Sequence, residues 1–303
     1  MPCPDLTLQS FKDTLKQTPY DILLCGFPCQ PFSIAGERRG FDDLRGTIFF
    51  HLAEIIQQTR PMAVFLENVP GLLNHDGGRT VKKILETLSD DLNYHVVGAR
   101  KTKRGYSIES GAAVRCAHEF GLPQNRARIF LVAFDKSLFG SAVCALPSTL
   151  PAGGMIPDTV LSILDDNVSD RYTCSENTIR ILTSCSTRST KIIRHGVLAR
   201  TLCACNWGKY NNLVPLDCGG YRVLTPGEYA RLQGFDFGGR SDFSFPQNTS
   251  DSVKYKTLGN SVAVSVVEAL ARFTINCLDQ LLDGSTDQSI PGASVQLSLG
   301  AFQ

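Results

Sequence analysis

Apolar residues follow two periods along this chain. Short continuous runs at Tyr20–Cys25, Ala63–Leu66, Ala112–Cys116 and Ile129–Phe134 are bounded by polar residues, glycine or proline. They are too short for helices and predict buried strands. Between them, Thr47–Gln58 puts Ile48, Phe49, Leu52, Ile55 and Ile56 on one helical face, and Val81, Ile84, Leu85 and Leu88 repeat the i, i+3, i+4, i+7 spacing. Val262–Leu281 predicts a closing helix with Val262, Val266, Val267, Leu270, Phe273, Cys277 and Leu281 inward. Buried strands interleaved with packing helices predict an α/β fold on an open parallel sheet.

The punctuation divides the chain. Gly140–Pro157 collects glycine, proline and serine and marks a boundary. The expected organisation is a first domain over 1–145, a second region over 146–240, a segment over 241–282 that returns to the first domain, and a fraying tail over 283–303 with no assigned function. Lys101–Ser110 is a basic, turn-forming insertion, expected as a surface hairpin or loop.

Candidate chemistry begins where the first strand ends. Gly26, Pro28 and Pro31 break regular structure around Cys29, so this thiol sits on a loop past the carboxyl end of a strand, where open α/β sheets place their ligands. Cys29 is a candidate nucleophile, although an arbitrary cysteine is more often a small buried residue. Three later segments change that balance. Glu67-Asn68-Val69 follows the second strand, Gly121–Arg128 (GLPQNRAR) leads into another, and Arg222–Phe235 (RVLTPGEYARLQGF) precedes Gly259-Asn260-Ser261-Val262.

This ordered set of PCQ, ENV, QxRxR, RxLTPxEYARLQGF and GNSV signatures resembles the DNA (cytosine-5) methyltransferase family and covers most of the chain. The resemblance implies a Rossmann-like, S-adenosylmethionine-dependent methyltransferase sheet with a smaller, irregular β-rich target-recognition lobe. The glycine-rich FxGxGG loop and following acidic residue expected in the cofactor half are not found in the sequence, so the sheet is expected to be N-terminally incomplete. Either the chain acts as it stands, or it is a DNA-binding subunit or remnant completed by a separate N-terminal polypeptide.

The implied chemistry accounts for the residue types. Carbon 5 of cytosine is a poor nucleophile until a thiolate adds at carbon 6 and converts the ring to an enamine. By resemblance Cys29 makes that attack, Glu67 holds a proton at ring N3 and accepts from the exocyclic amino group, and Arg128 bonds O2. Arg126 is expected nearer the Cys29 loop or the phosphates, and Asn68 and Gln124 hold the pocket. The methyl donor, S-adenosylmethionine, is expected against Gly26, Pro28, Asn260, Ser261 and Val262, with Asp5 a further candidate for the adenine amino group. The GNSV turn also reads as a helix N-cap. No metal is implied. Because carbon 6 is unreachable in a stacked duplex, the target base must be flipped out, with Gln30 beside the nucleophile among the groups filling the gap.

Charge locates the expected DNA surface. A net charge of +1 over 303 residues announces no polyanion partner, yet residues 177–216 carry Arg180, Arg188, Lys191, Arg194, Arg200 and Lys209 with no Asp or Glu, interleaved with Trp207 and Tyr210. A small lobe that merely lacks acids is the plain alternative. In the loop after Cys29, Arg38, Arg39 and Arg45 are candidates for phosphate contact, and a solvated surface loop explains them equally well. Eleven scattered cysteines without a CxxC pair suggest reduced thiols rather than a disulfide framework or zinc site. With 43% hydrophobic and 19% charged residues and neither a membrane-type run nor a signal-peptide pattern, the expected setting is the cytoplasm of a bacterium, or a phage. Double-stranded DNA and a cognate restriction endonuclease are the partners the resemblance implies.

Overall fold

The computed structural model describes residues 5–28, 48–184, 190–205, 208–235 and 243–284. Cys29, Gln30, Arg38, Arg39, Arg45, Arg188 and Trp207 lie outside the described residues. In chain order the helices are α1 (Gln9–Gln17), α2 (Ile48–Thr59), α3 (Arg79–Glu86), α4 (Ser110–Ala113), α5 (Lys136–Phe139), α6 (Glu176–Ser184), α7 (Pro226–Gln233), α8 (Asp251–Asn260) and α9 (Val264–Gly284). The strands are β1 (Ile22–Gly26), β2 (Ala63–Asn68), β3 (Tyr94–Val96), β4 (Ala99–Thr102), β5 (Gly105–Ile108), β6 (Val114–Cys116), β7 (Gln124–Asn125), β8 (Ala127–Asp135), β9 (Lys191–Ile192), β10 (Ala199–Arg200), β11 (Asn212–Pro215) and β12 (Tyr221–Val223). They build two compact units, one from the described residues of Met1–Arg115, Arg128–Pro151 and Leu270–Ala301, the other from Cys116–Ala127 and Ala152–Ala269.

The first unit is organised by a five-stranded sheet in the order β1-β2-β8-β3, with β6 also paired to β8. β1 and β2 are parallel, but β8 runs antiparallel to both β2 and β3. The sheet is therefore mixed, where the sequence predicts a parallel one. Ile129–Phe134 is buried throughout, and a strand apolar on both faces carries no directional signal. Ile55, Ile56 and Leu52 of α2 and Ile84, Leu85 and Leu88 pack with Leu23, Val64 and Leu66 into one core. Arg60, at φ 49°, stops α2. Its guanidinium is held by Asp135 and donates to the Leu92 carbonyl at 2.6 Å, tying the helix to the far end of β8.

Two predicted elements shift. Only Val114–Cys116 of the expected strand is extended, because Ser110–Ala113 form a helical turn. The closing helix begins at Val264, and its buried stripe is Val266, Leu270, Thr274, Cys277, Leu278 and Leu281, with Val267 and Phe273 half-buried. Thr274 is tolerated inside because its hydroxyl donates to the Leu270 carbonyl at 2.9 Å. The segment is apolar and long enough to match a membrane span, but its buried residues form one stripe, as in a helix packed on a core. The insertion is a hairpin, β4–β5, closed by Gly105 at φ 102°.

In the second unit β12, β11 and β9 form a three-stranded sheet, and β7 pairs in parallel with β10. The RVLTPGEYARLQGF stretch explains itself locally. Thr225 is the N-cap of α7, Pro226 occupies the first turn, and Glu228 completes a capping box, its carboxylate accepting from Thr225 N at 2.7 Å. Gly234 ends the helix in the left-handed conformation, φ 84°. Arg222 forks onto the same carboxylate at 2.8 and 2.9 Å, and Glu228 is fully buried. Tyr229 and Tyr255 meet edge to face at 4.8 Å beside Leu224, Leu232 and Leu258.

Candidate active site

In the first unit the candidate groups converge where β1 ends. Gly26 lies opposite Glu67, and Phe27 N continues the ladder by donating to the Glu67 carbonyl at 3.3 Å. Asn68 is buried and spans the next step, its amide donating to the Phe27 carbonyl at 2.8 Å and accepting from Val69 N at 2.8 Å. One side chain thus fixes the path of the chain as it leaves β1 toward Pro28, the residue before Cys29.

Across the sheet Glu67 faces Phe130, and Arg128 stands two residues before Phe130 on the same face. Its Nε lies 3.0 Å from Glu67 Oε1, and the two side chains are only 14% and 15% exposed. A carboxylate and a guanidinium are therefore preorganised together at the carboxyl edge of β2, chemistry suited to an amide-like ring edge bearing both donors and acceptors. Cys25, opposite Leu66, is the described thiol of this edge. Burial and then the Glu67 charge push its pKa up to about 11, so it stays protonated and is unsuited to attack.

In the second unit Arg126 and Gln124 face inward. Arg126, 2% exposed, donates to the carbonyls of Leu202 at 2.9 Å and Gly259 at 3.0 Å and to that of Ser261. Its guanidinium is committed to backbone rather than aimed at a phosphate, which fits a positioning role. Gln124 donates to the Leu232 carbonyl at 2.9 Å and accepts from Leu202 N at 3.1 Å. Gly259 is obligatory, since a Cβ there would come 2.4 Å from Ala204 N and the Cys203 carbonyl carbon. The GNSV turn ends α8 rather than capping the start of α9. Ser261 is the C-cap of α8, and its hydroxyl donates to the Leu258 carbonyl at 2.7 Å.

The remaining candidates are dispersed. Asp5 closes a local turn, Oδ1 accepting from Thr7 N at 2.9 Å and Thr7 Oγ1 at 2.7 Å, bonds that lower its pKa. Lys191 and Arg200 line one cavity, Arg194 lies exposed in a turn, and Lys209 sits 5.1 Å over the Tyr210 ring. Sequence reasoning missed Asn125, Thr201 and Asn211, which line that cavity beside Lys191 and Arg200. For Asn125 the signal was available, because it alternates with the inward-facing Gln124 and Arg126.

A family profile described as C-5 cytosine-specific DNA methylase matches residues 1–197 and 183–276. The Type II methyltransferase M.HpaII of Haemophilus parainfluenzae is 36% identical over 93% of this chain and 79% of its own length. M1.ScrFI of Lactococcus lactis subsp. cremoris is 37% identical over 86% of this chain and 64% of its own. Among solved structures, a Spodoptera frugiperda DNMT2 variant shares the fold at a TM-score of 0.64 and 18% identity, covering 89% of this chain and 83% of that one. A putative DNA modification methyltransferase encoded within an Escherichia coli prophage gives 0.53 at 20% identity, over 91% and 85% of the two chains.

Proposed function

Since the chain belongs to the C-5 cytosine-specific DNA methylase family, we propose that it methylates carbon 5 of a flipped-out cytosine in duplex DNA through a covalent bond from Cys29 to carbon 6. The observation that carries this reading is the Glu67–Arg128 pair, with Glu67 on β2, the neighbour of the strand that leads to Cys29, and Arg128 on β8, the next strand across.

In this reading the Cys29 thiolate adds to carbon 6 while Glu67, protonated at the moment of addition, donates to ring N3, and electron density moves to carbon 5. Arg128 holds Glu67 in register and bonds the ring O2 carbonyl, stabilising negative charge that develops there. Asn68 acts by fixing the backbone that presents Cys29. After transfer the carbon-5 proton leaves to a water-mediated base, the thiolate is expelled and N3 returns its proton to Glu67, which restores the ring. Arg126 and Gln124 position and take no part in bond making.

S-adenosylmethionine is the methyl donor the family implies, and it supplies an electrophilic methyl on a sulfonium when bound. The donor set fits it in part: Asp5 keeps Oδ2 outside its turn bonds as an acceptor for an amino group. Gly26 and Pro28 offer close backbone approach, and Asn260, Ser261 and Val262 are the candidates from the GNSV turn. Lys191, Arg194, Arg200 and Lys209, with Gln30 and Arg188, are assigned to the DNA. A cytoplasmic setting and a cognate restriction endonuclease belong to the same proposal, since the relatives are named Type II methyltransferases.

The test is covalent trapping on duplex DNA carrying 5-fluorocytosine, with S-adenosylmethionine and the full chain. A methylated adduct lost in Cys29→Ala is the expected result. An adduct that forms only when a polypeptide bearing an FxGxGG segment is added supports the same chemistry shared between two chains. No adduct under either condition overturns the reading.

A further inference from the structure

The parallel pair β7–β10 has two unlike faces. Ala199 lies opposite Gln124 and Arg200 opposite Asn125, and the pleat sends neighbours to opposite sides. On the inner side the β10 segment is held at several successive residues. Ala199 N donates to the Pro123 carbonyl at 2.9 Å. Asn212, fully buried, accepts from Arg200 N at 2.7 Å and donates to the Arg200 carbonyl at 3.2 Å. Thr201 Oγ1 donates to the Asn125 carbonyl at 2.7 Å, and Leu202 is gripped through N by Gln124 and through its carbonyl by Arg126.

The outer side opens on a cavity of about 350 Å³ lined by Asn125, Lys191, Arg200, Thr201, Cys203 and Asn211. Arg200 and Lys191 are exposed, and among the described residues neither has an ion-pair partner, in a stretch without a single carboxylate between 177 and 216. Asn125 spends its Oδ1 on the Cys116 thiol at 3.3 Å, which leaves Nδ2 as a donor. The wall is thus rich in hydrogen-bond donors, carried on a backbone locked by buried amides and a buried guanidinium.

We propose that this cavity reads a guanine of the target sequence, with Arg200 donating to its O6 and N7, Asn125 donating beside it, and Lys191 engaging the flanking phosphate. Guanine is the base that presents two acceptors and no donor on its major-groove edge, and a bidentate arginine is its usual reader. A phosphate contact tolerates a slack chain. A base contact needs register, and register is what Asn212, Gln124 and Arg126 impose on Arg200 and its neighbours. The assignment rests on the methyltransferase reading above.

The test expresses the full chain in a host without cytosine methylation and maps 5-methylcytosine across a plasmid. For Arg200→Ala the ratio of marking at the consensus to marking at sites differing at one guanine is expected to fall about 5- to 150-fold, with that position relaxed and the melting temperature unchanged. For Lys191→Gln all sites are expected to fall together, with the slope of binding against salt reduced by about 1 and the consensus kept. An unchanged consensus in Arg200→Ala, at wild-type or evenly reduced marking, overturns the inference. If Arg200→Ala marks nothing, equilibrium binding of Arg200→Ala and Arg200→Gln to duplexes carrying each single substitution decides. A profile flattened at one guanine supports the assignment, and the wild-type profile overturns it. If the unaltered chain marks nothing, the methyltransferase reading fails while the same binding panel still tests the cavity.

Discussion

Arg128 Nε lies 3.0 Å from Glu67 Oε1, a diagonal cross-strand contact between residues 61 positions apart (128 − 67), both at the end of the sheet where β1 releases the chain toward Cys29. Glu67→Gln keeps the size of the side chain and an oxygen for Arg128 but cannot deliver a proton to ring N3. Adduct formation is expected to slow by about 10² to 10⁴-fold with the melting temperature near that of the unaltered protein. Arg128→Lys replaces a planar fork by a point charge, and a loss of roughly 10² to 10³-fold is expected. Single-turnover trapping rates beside thermal melts separate these effects from unfolding, and a rate within a few-fold of the unaltered protein in either variant removes that residue from the chemistry.

Asn68→Ala leaves the Phe27 carbonyl and Val69 N without their side-chain partner in a buried position. Stability is expected to drop by about 1–3 kcal/mol. Trapping should slow as well, because the chain entering the Cys29 loop loses its anchor. Asn68→Asp tests the role differently: it can still accept from Val69 N but cannot donate to the Phe27 carbonyl, so it should recover little of the rate.

Much of this was legible in the sequence, and the exceptions have physical causes. The apolar runs placed β1, β2 and β8, and the order of the motifs picked out Glu67 and Arg128, which the sheet brings into contact. The direction of β8 was invisible because a doubly buried strand has no polar face. The partners of Arg126 are backbone carbonyls as far as 135 residues away, and carbonyls have no sequence identity to read. Asn125 went unnoticed between two motif residues, although the alternation of inward Gln124 and Arg126 already places it on the opposite face.

Cys25 gives a pH test. Its folded pKa of about 11 lies above the ordinary thiol value, so the folded state holds the proton more tightly than the unfolded state. The contribution to stability is complete below the unfolded pKa, near 9, and is lost as pH rises from there through the folded value. Cys25→Ala should flatten the fall of unfolding free energy in that alkaline window. At pH 8, alkylation read by mass spectrometry should reach the exposed Cys144, Cys205 and Cys218 well before Cys25. Early labelling of Cys25 in folded protein would contradict the raised value.

The buried pair of Arg222 and Glu228 shows why one motif can be structural although it lies in an enzyme. Glu228 accepts from Thr225 N at 2.7 Å, Asp165 N at 2.9 Å and both terminal nitrogens of Arg222. Arg222→Ala strands a carboxylate with no exposure to water, and a loss of about 3–5 kcal/mol is expected in denaturant unfolding. Replacing both charges, as Arg222→Met with Glu228→Leu, removes the stranded ion and is often neutral for a simple buried pair. Here it should remain destabilising, because Thr225 N and Asp165 N lose their acceptor and α7 loses its capping box. Recovery to the stability of the unaltered protein in the double variant would show that the charge pair, and not the cap, is what this motif maintains.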